Sequence, residues 1–184
     1  MNIKQTPLQD AFAIEPEPFA DDRGLFARVF CKQELQSILH GKNIVQVNQS
    51  MTRQKGAIRG MHFQRPPRAE IKMVKCLHGS VFDVMIDLRQ RSSTFLKWHG
   101  EILSAENMKM LYIPEGFAHG FQTLEENCEL LYLHTEFYGP EHEGGVGYDD
   151  AKVGIKWPLE ITDVSERDKN HPLLAHDFKG IILG

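Results

Sequence analysis

RGMHFQRPPRAEIKMVKC, residues 59–76, contains two short apolar strands separated by a pair of adjacent prolines. Proline has no backbone N–H to offer a sheet, so the pair marks the connection between the two strands. His62 lies on the first strand and Lys72 on the second. Because strands hold side chains more rigidly than loops do, ionisable groups at these positions predict a functional site built on a sheet.

Strand signals continue on both sides of this stretch. Short segments rich in Val, Ile, Leu, Phe and Tyr, bounded by turn signals, predict eight strands. They cover residues 44–51, 58–63, 71–77, 80–88, 95–103, 109–113, 118–123 and 129–135. Helical signals are confined to residues 32–39 and 164–175. Many strands at close spacing, without long helices between them, predict an all-β antiparallel sandwich or barrel.

Several of these strands alternate between an apolar and a polar face. In VFDVMIDL one alternating set is wholly apolar and the other carries two aspartates, and VQVNQS and LLYLHT also alternate. Successive side chains point to opposite faces of a sheet, so one face of a barrel strand lines the lumen. Polar strand faces usually point to water, but four titratable types on neighbouring strands would be an unusual solvent face. These four are His62, Lys72, Asp83 and Tyr132.

The composition fits one globular domain of 184 residues, with 41% hydrophobic and 25% charged residues and a net charge of −4. No basic tract favours nucleic acid, and no apolar run approaches the roughly 18 residues that span a membrane. The first residues lack the apolar middle of a secretory signal. Three widely spaced cysteines without a CxxC motif are typical of buried thiols in a reducing compartment, so we expect a cytoplasmic protein.

Two histidine segments carry the candidate chemistry. RGMHFQ contains His62, and IPEGFAHGF contains His119 in a P-x-G-x-x-H pattern similar to a metal-binding cupin strand. Gln64 replaces the second histidine of the His-x-His pair that metal cupins need. Two histidines without a third nitrogen or carboxylate make a poor divalent-metal site, so we expect no metal and no cofactor. Taken alone, His119 also fits a buried, hydrogen-bonded histidine beside a turn.

A metal-free histidine in an apolar lumen can instead act as a general base, because its ordinary pKa lies near 6.5. Such a base needs a carboxylate to orient its other ring nitrogen, and SERDKNHP offers Asp168. A lysine can stabilise a developing enolate oxygen, and a tyrosine can return a proton. The residue pattern alone does not show that these groups meet.

The ordered blocks of the chain resemble the dTDP-4-dehydrorhamnose 3,5-epimerase family, metal-free cupins of deoxysugar biosynthesis. They run from FADDRGLF through VQVNQS, IRGMHFQ, KMVKCLHGSVFDVMIDLR, YIPEGFAHGFQTL and LLYLHTEFYGPEHEGG to IKWPL and VSERD. The resemblance implies an antiparallel cupin jelly-roll barrel, with short helices at the periphery and C-terminus, as a single domain over residues 1–184. It also implies a homodimer in which an N-terminal strand crosses to the partner's site.

The resemblance assigns a role to each matching position. His62 would remove the proton next to the C4 ketone of a nucleotide-activated 4-keto-6-deoxyhexose, Asp168 would orient it, Lys72 would hold the enolate oxygen and Tyr132 would protonate the other face. Further substrate contacts are implied for Arg23, Phe26, Arg28, Gln46, Asn48, Arg59, His119, Tyr138, Glu143 and Arg167. Among these, Arg23, Arg59 and His119 would meet the diphosphate, and Tyr138 would stack on the base.

The chain departs from the family pattern mainly at base-contacting positions. Arg28 stands where the family usually has Glu, Val47 where it has Asp, Phe137 where it has Tyr and Tyr148 where Trp is frequent. Because of these departures, the sequence does not decide whether the substrate carries dTDP or CDP. The alternatives are an epimerase that inverts C3 or C5 only and a non-catalytic sugar-binding cupin. The second alternative predicts losses among the catalytic residues, and none is lost.

Overall fold

Thirteen strands and two four-residue helices form the part of the chain that the computed structural model describes, residues 1–183. The strands are β1 (Asn2–Gln5), β2 (Phe12–Glu15), β3 (Phe19–Asp21), β4 (Gly24–Phe26), β5 (Gln46–Thr52), β6 (Ile58–Gln64), β7 (Lys72–His78), β8 (Ser80–Asp87), β9 (Trp98–Ser104), β10 (Met110–Ile113), β11 (Phe117–Thr123), β12 (Cys128–His134) and β13 (Glu143–Gly145). The helices are α1 (Gln36–Leu39) and α2 (Glu166–Lys169), and a 3₁₀ turn covers Pro140–His142.

Two antiparallel sheets face each other and enclose a lumen. One has the strand order β1-β2-β10-β7-β12-β5 and the other β13-β6-β11-β8-β9, while β3 and β4 form a separate hairpin. Buried side chains from both sheets meet between them, including Val74 and Leu130 from the first and Met85 and Phe121 from the second. This arrangement confirms the all-β antiparallel jelly-roll barrel.

Strand β8 shows how the alternation seen in the sequence is used. Val81 and Met85 point into the lumen, whereas Val84 and Ile86 belong to a second apolar cluster on the opposite face. The C-terminal third of the chain covers that outer face with apolar side chains, among them Val153, Trp157, Leu174 and Phe178. Both faces of the strand are therefore buried, which explains its almost continuous apolar sequence.

The outer face of the six-stranded sheet is covered by the segment around α1. Ile38 and Leu39 pack against Met73 and Tyr112 of the sheet, and the Tyr112 hydroxyl donates to the Ile38 carbonyl. The outer face of this sheet is therefore partly buried as well as its lumen face.

All eight predicted strands are present, each within three residues of its expected ends. The strands β1–β4 and β13 were not predicted because they are only three or four residues long. The predicted helices at 32–39 and 164–175 are wrong in extent, since only four residues of each are helical. Ser165 caps α2 by accepting from the Asp168 N–H, and Pro172 cannot continue a helix. Among residues 1–183, no helix is long and apolar enough to cross a membrane.

Candidate active site

His62 and Asp168 form a close pair at the centre of the molecule, 106 residues apart in sequence. The Nε2 atom of His62 lies 2.7 Å from Oδ1 of Asp168. His62 projects from β6 and is 28% exposed, whereas the Asp168 side chain, on α2, is 4% exposed. One imidazole nitrogen of His62 therefore contacts a buried carboxylate, while part of the ring remains exposed to the cavity.

Two hydrogen bonds keep the Asp168 carboxylate ionised. Burial alone would raise the pKa of Asp168, but the hydrogen bond with His62 and the Gly60 N–H, 3.1 Å from Oδ2, outweigh burial and hold the pKa below its ordinary value. Gly60 has a φ of +134°, and a Cβ there would lie 2.5 Å from the Cα of Gly120. Only glycine fits this approach of β6 to β11, the contact that aims the N–H at Asp168.

Tyr132 of β12 lies across the lumen from β6. Its hydroxyl is 3.0 Å from the hydroxyl of Ser50 on β5, and burial raises the pKa of Tyr132 to about 12. Tyr132 and His62 line the same cavity of about 230 Å³, together with Lys72 and Asn48. A neutral tyrosine in this position holds a proton that it can release to a reacting carbon.

A chain of polar groups supports Lys72. The Lys72 ammonium is 3.7 Å from Oε1 of Glu70, and Oε2 of Glu70 is 2.6 Å from Nδ1 of His134. The Nε2 atom of His134 is in turn 3.3 Å from the Asn48 side-chain amide. Burial alone would raise the pKa of Glu70, but the hydrogen bond with His134 and the charge of Lys72 keep it below its ordinary value. Lys72 thus stands beside an ionised carboxylate on the cavity wall.

His119 is directly opposite His62 in the β6–β11 register and is almost fully buried. Its Nε2 lies 2.9 Å from a carboxylate oxygen of Asp83, which has no exposure. Burial lowers the pKa of His119 despite this carboxylate. His119 contributes to the cavity wall, but its ring nitrogen is already engaged, so its expected contact with a diphosphate stays a prediction.

A second group of expected residues is linked by hydrogen bonds next to Arg167. The Tyr138 hydroxyl donates to Oε2 of Glu143, and Arg167 donates to Oε1 of the same carboxylate at 2.7 Å. The side-chain oxygen of Gln46 accepts from the Tyr138 N–H at 3.1 Å. These residues therefore form one connected patch that can receive a substrate.

A wider cleft of about 720 Å³ adjoins this patch and shares His62 and Arg59 with the smaller cavity. Asp168 and Arg167 also line the cleft. Its size and its three arginines, Arg53, Arg59 and Arg167, suit a large anionic ligand whose reacting end reaches His62.

Arg23, Phe26 and Arg28 are expected to contact the substrate, but all three lie away from the site that their own chain forms. Arg23 is 90% exposed and pairs with Asp21 in the β3–β4 hairpin, and the Phe26 side chain is also largely exposed. Arg28 bonds to Glu34 at 2.5 Å and lies beside a small cavity far from the lumen residues. That these residues contact the substrate stays a prediction, since the resemblance implies that the N-terminal strand serves the site of a partner chain.

Sequence reasoning missed four groups beside the expected residues: Ser50, Glu70, His134 and His171. Ser50 and His134 share an alternating strand face with Asn48 and Tyr132, which was an available signal. Nothing local marked Glu70, because its partner His134 lies 64 residues away. His171 lies only three residues after Asp168, but no residue pattern showed that its ring turns toward that carboxylate. Asp168 and His171 offer ligand atoms within 4.8 Å of one another and of His62, a group that the sequence motifs did not indicate. The expectation that the protein needs no metal stays a prediction.

The arrangement is suited to moving protons rather than electrons or acyl groups. It offers an oriented imidazole, a neutral phenol on another wall of the lumen and a lysine ammonium, all around one cavity. Those are the groups needed to remove a proton next to a carbonyl, stabilise the enolate and reprotonate it.

Comparison with known proteins identifies relatives over nearly the whole chain. The family model described as dTDP-4-dehydrorhamnose 3,5-epimerase matches residues 5–176. A dTDP-4-dehydrorhamnose 3,5-epimerase from Salmonella typhimurium is 43% identical over 176 residues, which cover 95% of this chain and 96% of that protein.

Solved structures agree with the sequence comparison. The Bacillus anthracis dTDP-4-dehydrorhamnose 3,5-epimerase with TDP and PPi bound matches with a TM-score of 0.90 and 39% identity, over 94% of this chain and 99% of that one. A Legionella pneumophila dTDP-6-deoxy-D-glucose-3,5-epimerase in complex with dTDP-4-keto-L-rhamnose matches with a TM-score of 0.88 and 38% identity, over 94% and 92% of the two chains.

Proposed function

Because the chain belongs to the dTDP-4-dehydrorhamnose 3,5-epimerase family, we propose that it is an isomerase that inverts C3 and C5 of a nucleotide-activated 4-keto-6-deoxyhexose. The substrate is of the dTDP-4-dehydro-6-deoxy-D-glucose type and the product of the dTDP-4-dehydro-L-rhamnose type. The observation that carries the proposal is the His62–Asp168 pair, which opens into the same lumen as Lys72 and Tyr132.

His62 is the general base. With Nε2 hydrogen-bonded to Asp168, the ring carries its proton on Nε2 and keeps the Nδ1 lone pair free for the substrate. Nδ1 takes the proton from the carbon next to the C4 ketone, and the electrons of the broken C–H bond move to the ketone oxygen. The imidazolium that forms is stabilised by the ionised Asp168.

Lys72 and Tyr132 complete the inversion. The Lys72 ammonium stabilises the negative charge on the enolate oxygen. Tyr132 donates its proton to the opposite face of the same carbon, so the configuration inverts. The imidazolium of His62 then releases its proton to solvent and the phenolate takes one from solvent, which resets both groups. Repeating these steps on the other side of the ketone inverts the second carbon without any metal or cofactor.

The nucleotide part of the substrate fits the wider cleft. Arg59 and Arg167 lie on the walls of this cleft and suit a diphosphate. Tyr138, linked to Arg167 through Glu143, is the proposed stacking partner of the base. Arg28 and Val47 leave dTDP and CDP as competing nucleotides. Turnover of the dTDP sugar and of the CDP sugar by the same preparation measures this choice directly.

We further propose a single-domain homodimer in the cytoplasm. Phe19, Leu25 and Phe26 of the β3–β4 hairpin are 61–73% exposed, and Val47 and Met51 of the edge strand β5 are also exposed. A second copy covering these surfaces would bring Arg23 to the partner's site. All three cysteines are free thiols, as is usual in a reducing compartment.

Incubation with dTDP-4-keto-6-deoxyglucose in deuterated water tests the reaction. Mass spectrometry and NMR should find deuterium at C3 and C5 together with the inverted product. Exchange at only one carbon would indicate a mono-epimerase. No exchange with any 4-keto nucleotide sugar would leave a sugar-binding cupin as the better description.

A further inference from the structure

His171 is a second imidazole on the carboxylate that orients the base. Its Nε2 lies 3.5 Å from Oδ1 of Asp168, the same oxygen that faces His62. The two rings meet edge to face, with centroids 5.3 Å apart. Nε2 of His171 is buried and has no hydrogen-bond partner among the described residues. This nitrogen has no role in the proposed proton transfer.

The surroundings hold His171 in place. A Cβ on Gly145 of β13 would lie 2.2 Å from its Nδ1, so the ring packs directly on the glycine backbone. The Gly147 N–H donates to the carbonyl of Pro172, the next residue. Oδ2 of Asp168 is occupied by the Gly60 N–H, which leaves Oδ1 as the oxygen that both imidazoles face.

We propose that His62, Asp168 and His171 form an inhibitory site for a divalent transition-metal ion of the zinc class. Their ligand atoms all lie within 4.8 Å of one another. Two imidazole nitrogens and one carboxylate oxygen suit Zn²⁺, Co²⁺, Ni²⁺ or Cu²⁺, whereas Mg²⁺ and Ca²⁺ prefer oxygen ligands. In a tetrahedral zinc site with bonds of about 2.0–2.2 Å the ligand atoms lie roughly 3.3–3.6 Å apart, so binding requires the His62–Asp168 pair, now at 2.7 Å, to open slightly, whereas His171 already lies 3.5 Å from the same oxygen.

The nearest positive charge is already balanced. Nε of Arg167 lies 3.8 Å from Oδ1 of Asp168, but its guanidinium also donates to Glu143 at 2.7 Å. The Glu143 carboxylate therefore offsets the repulsion between Arg167 and a bound cation. Three protein ligands leave a fourth position for water or a substrate oxygen.

Metal binding would switch off the base by fixing its tautomer. A metal on Nε2 of His62 uses the lone pair of that nitrogen, so a neutral ring must carry its proton on Nδ1. Nδ1 then has no lone pair for the substrate proton, and the bond between His62 and Asp168 is lost. This part of the inference rests on the proposed function, whereas the existence of the site does not.

Binding is measured first without substrate. Zn²⁺ is titrated in competition with a chromophoric chelator, and Co²⁺ is followed by its visible absorption. We expect one ion per chain, and His171→Phe, which keeps a ring but removes both nitrogens, should weaken binding by about 10–100-fold or more. His99→Phe is the matched control, because His99 lies 3.4 Å from Glu101 and belongs to no three-ligand group among the described residues. His171→Gln is made in parallel in case the phenylalanine variant does not fold.

Activity is measured second, as deuterium exchange relative to each variant's own metal-free rate. Zn²⁺ should inhibit the wild type and the His99→Phe variant, a chelator should restore both, and Mg²⁺ should have no effect. Absence of a stoichiometric ion, or unchanged affinity in the His171 variants, would overturn the site. Zinc that binds but leaves exchange unaffected would overturn the inhibition. A protein that binds zinc through His171 yet exchanges no substrate would instead count against the epimerase assignment alone.

Discussion

The barrel lumen and the β3–β4 hairpin present their side chains in opposite ways. In the lumen, His62, Tyr132 and His119 each have a hydrogen-bond partner from the same chain and lie around a formed cavity. In the hairpin, Phe19 and Phe26 are more than 70% exposed. One chain therefore builds the proton-transfer groups by itself, whereas the apolar side chains of the hairpin have no cover from the described residues of their own chain. The following predictions test that division.

The largest effect is expected when the base is removed from the lumen. His62→Ala should reduce both solvent exchange and epimerisation by about 10²–10⁴-fold, because no enolate forms. Quenched-flow sampling with mass spectrometric detection of deuterium measures both. His142→Ala, in the 3₁₀ turn, serves as the control. Full activity of His62→Ala would overturn the assignment of the base.

Tyr132→Phe should separate exchange from inversion. His62 can still remove a proton and return it to the same face, so deuterium enters the substrate while inversion falls by about 10²-fold or more. NMR of the recovered sugar distinguishes the two outcomes. Equal losses of exchange and inversion would mean that Tyr132 does not act as the separate acid.

The pH profile should also reflect the buried environment of Tyr132. Because burial raises its pKa to about 12, the proton-donating form persists through the mildly alkaline range and is lost only near pH 12. The alkaline limb of inversion should therefore not coincide with an ordinary tyrosine ionisation near pH 10. If the inversion rate instead fell near pH 10, and Tyr132→Phe removed that decrease, the pKa of Tyr132 would be closer to the ordinary tyrosine value than its burial indicates.

Mixing two inactive variants tests the hairpin. If Arg23 serves the partner's site, a mixed dimer of Arg23→Ala and His62→Ala contains one complete site. Unfolding and refolding the two together should then restore activity at about a quarter of all sites, since half of the randomly paired dimers are mixed. No recovery, with mixed dimers verified by mass spectrometry, would place the function of Arg23 within its own chain.

The smallest effect is expected at Arg28, at the foot of the hairpin. Its guanidinium is paired with Glu34 and is 59% exposed, so solvent screens the pair. Arg28→Gln should change kcat/KM for the dTDP sugar by less than about 5-fold, because the residue contacts no group of the cavity in its own chain. Arg28→Glu serves as the comparison, because it places the carboxylate usual in the family at this position. A larger change, or a switch between dTDP and CDP, would put Arg28 in the partner's base pocket.

The sequence by itself determined the sheet-rich architecture and the central members of the site. Alternation in VFDVMIDL and LLYLHT was sufficient because a strand repeats every two residues, so each residue's face follows from its position. The strand pattern alone could thus assign His62, Lys72 and Tyr132 to strands, whereas their place in the lumen was implied by the resemblance. Ordered motifs along the whole chain then connected them to one family.

Only the tertiary structure decided which groups touch. Asp168 meets His62 across 106 residues, and Glu70 joins Lys72 to His134 from a segment outside any strand. His171 reaches the same carboxylate because a four-residue helix and Pro172 turn the chain back over β13. Such contacts depend on loop paths and strand registers between distant segments. The two-residue repeat of a strand determines which face of the sheet a side chain lies on. It contains no information about which distant residue that side chain will contact.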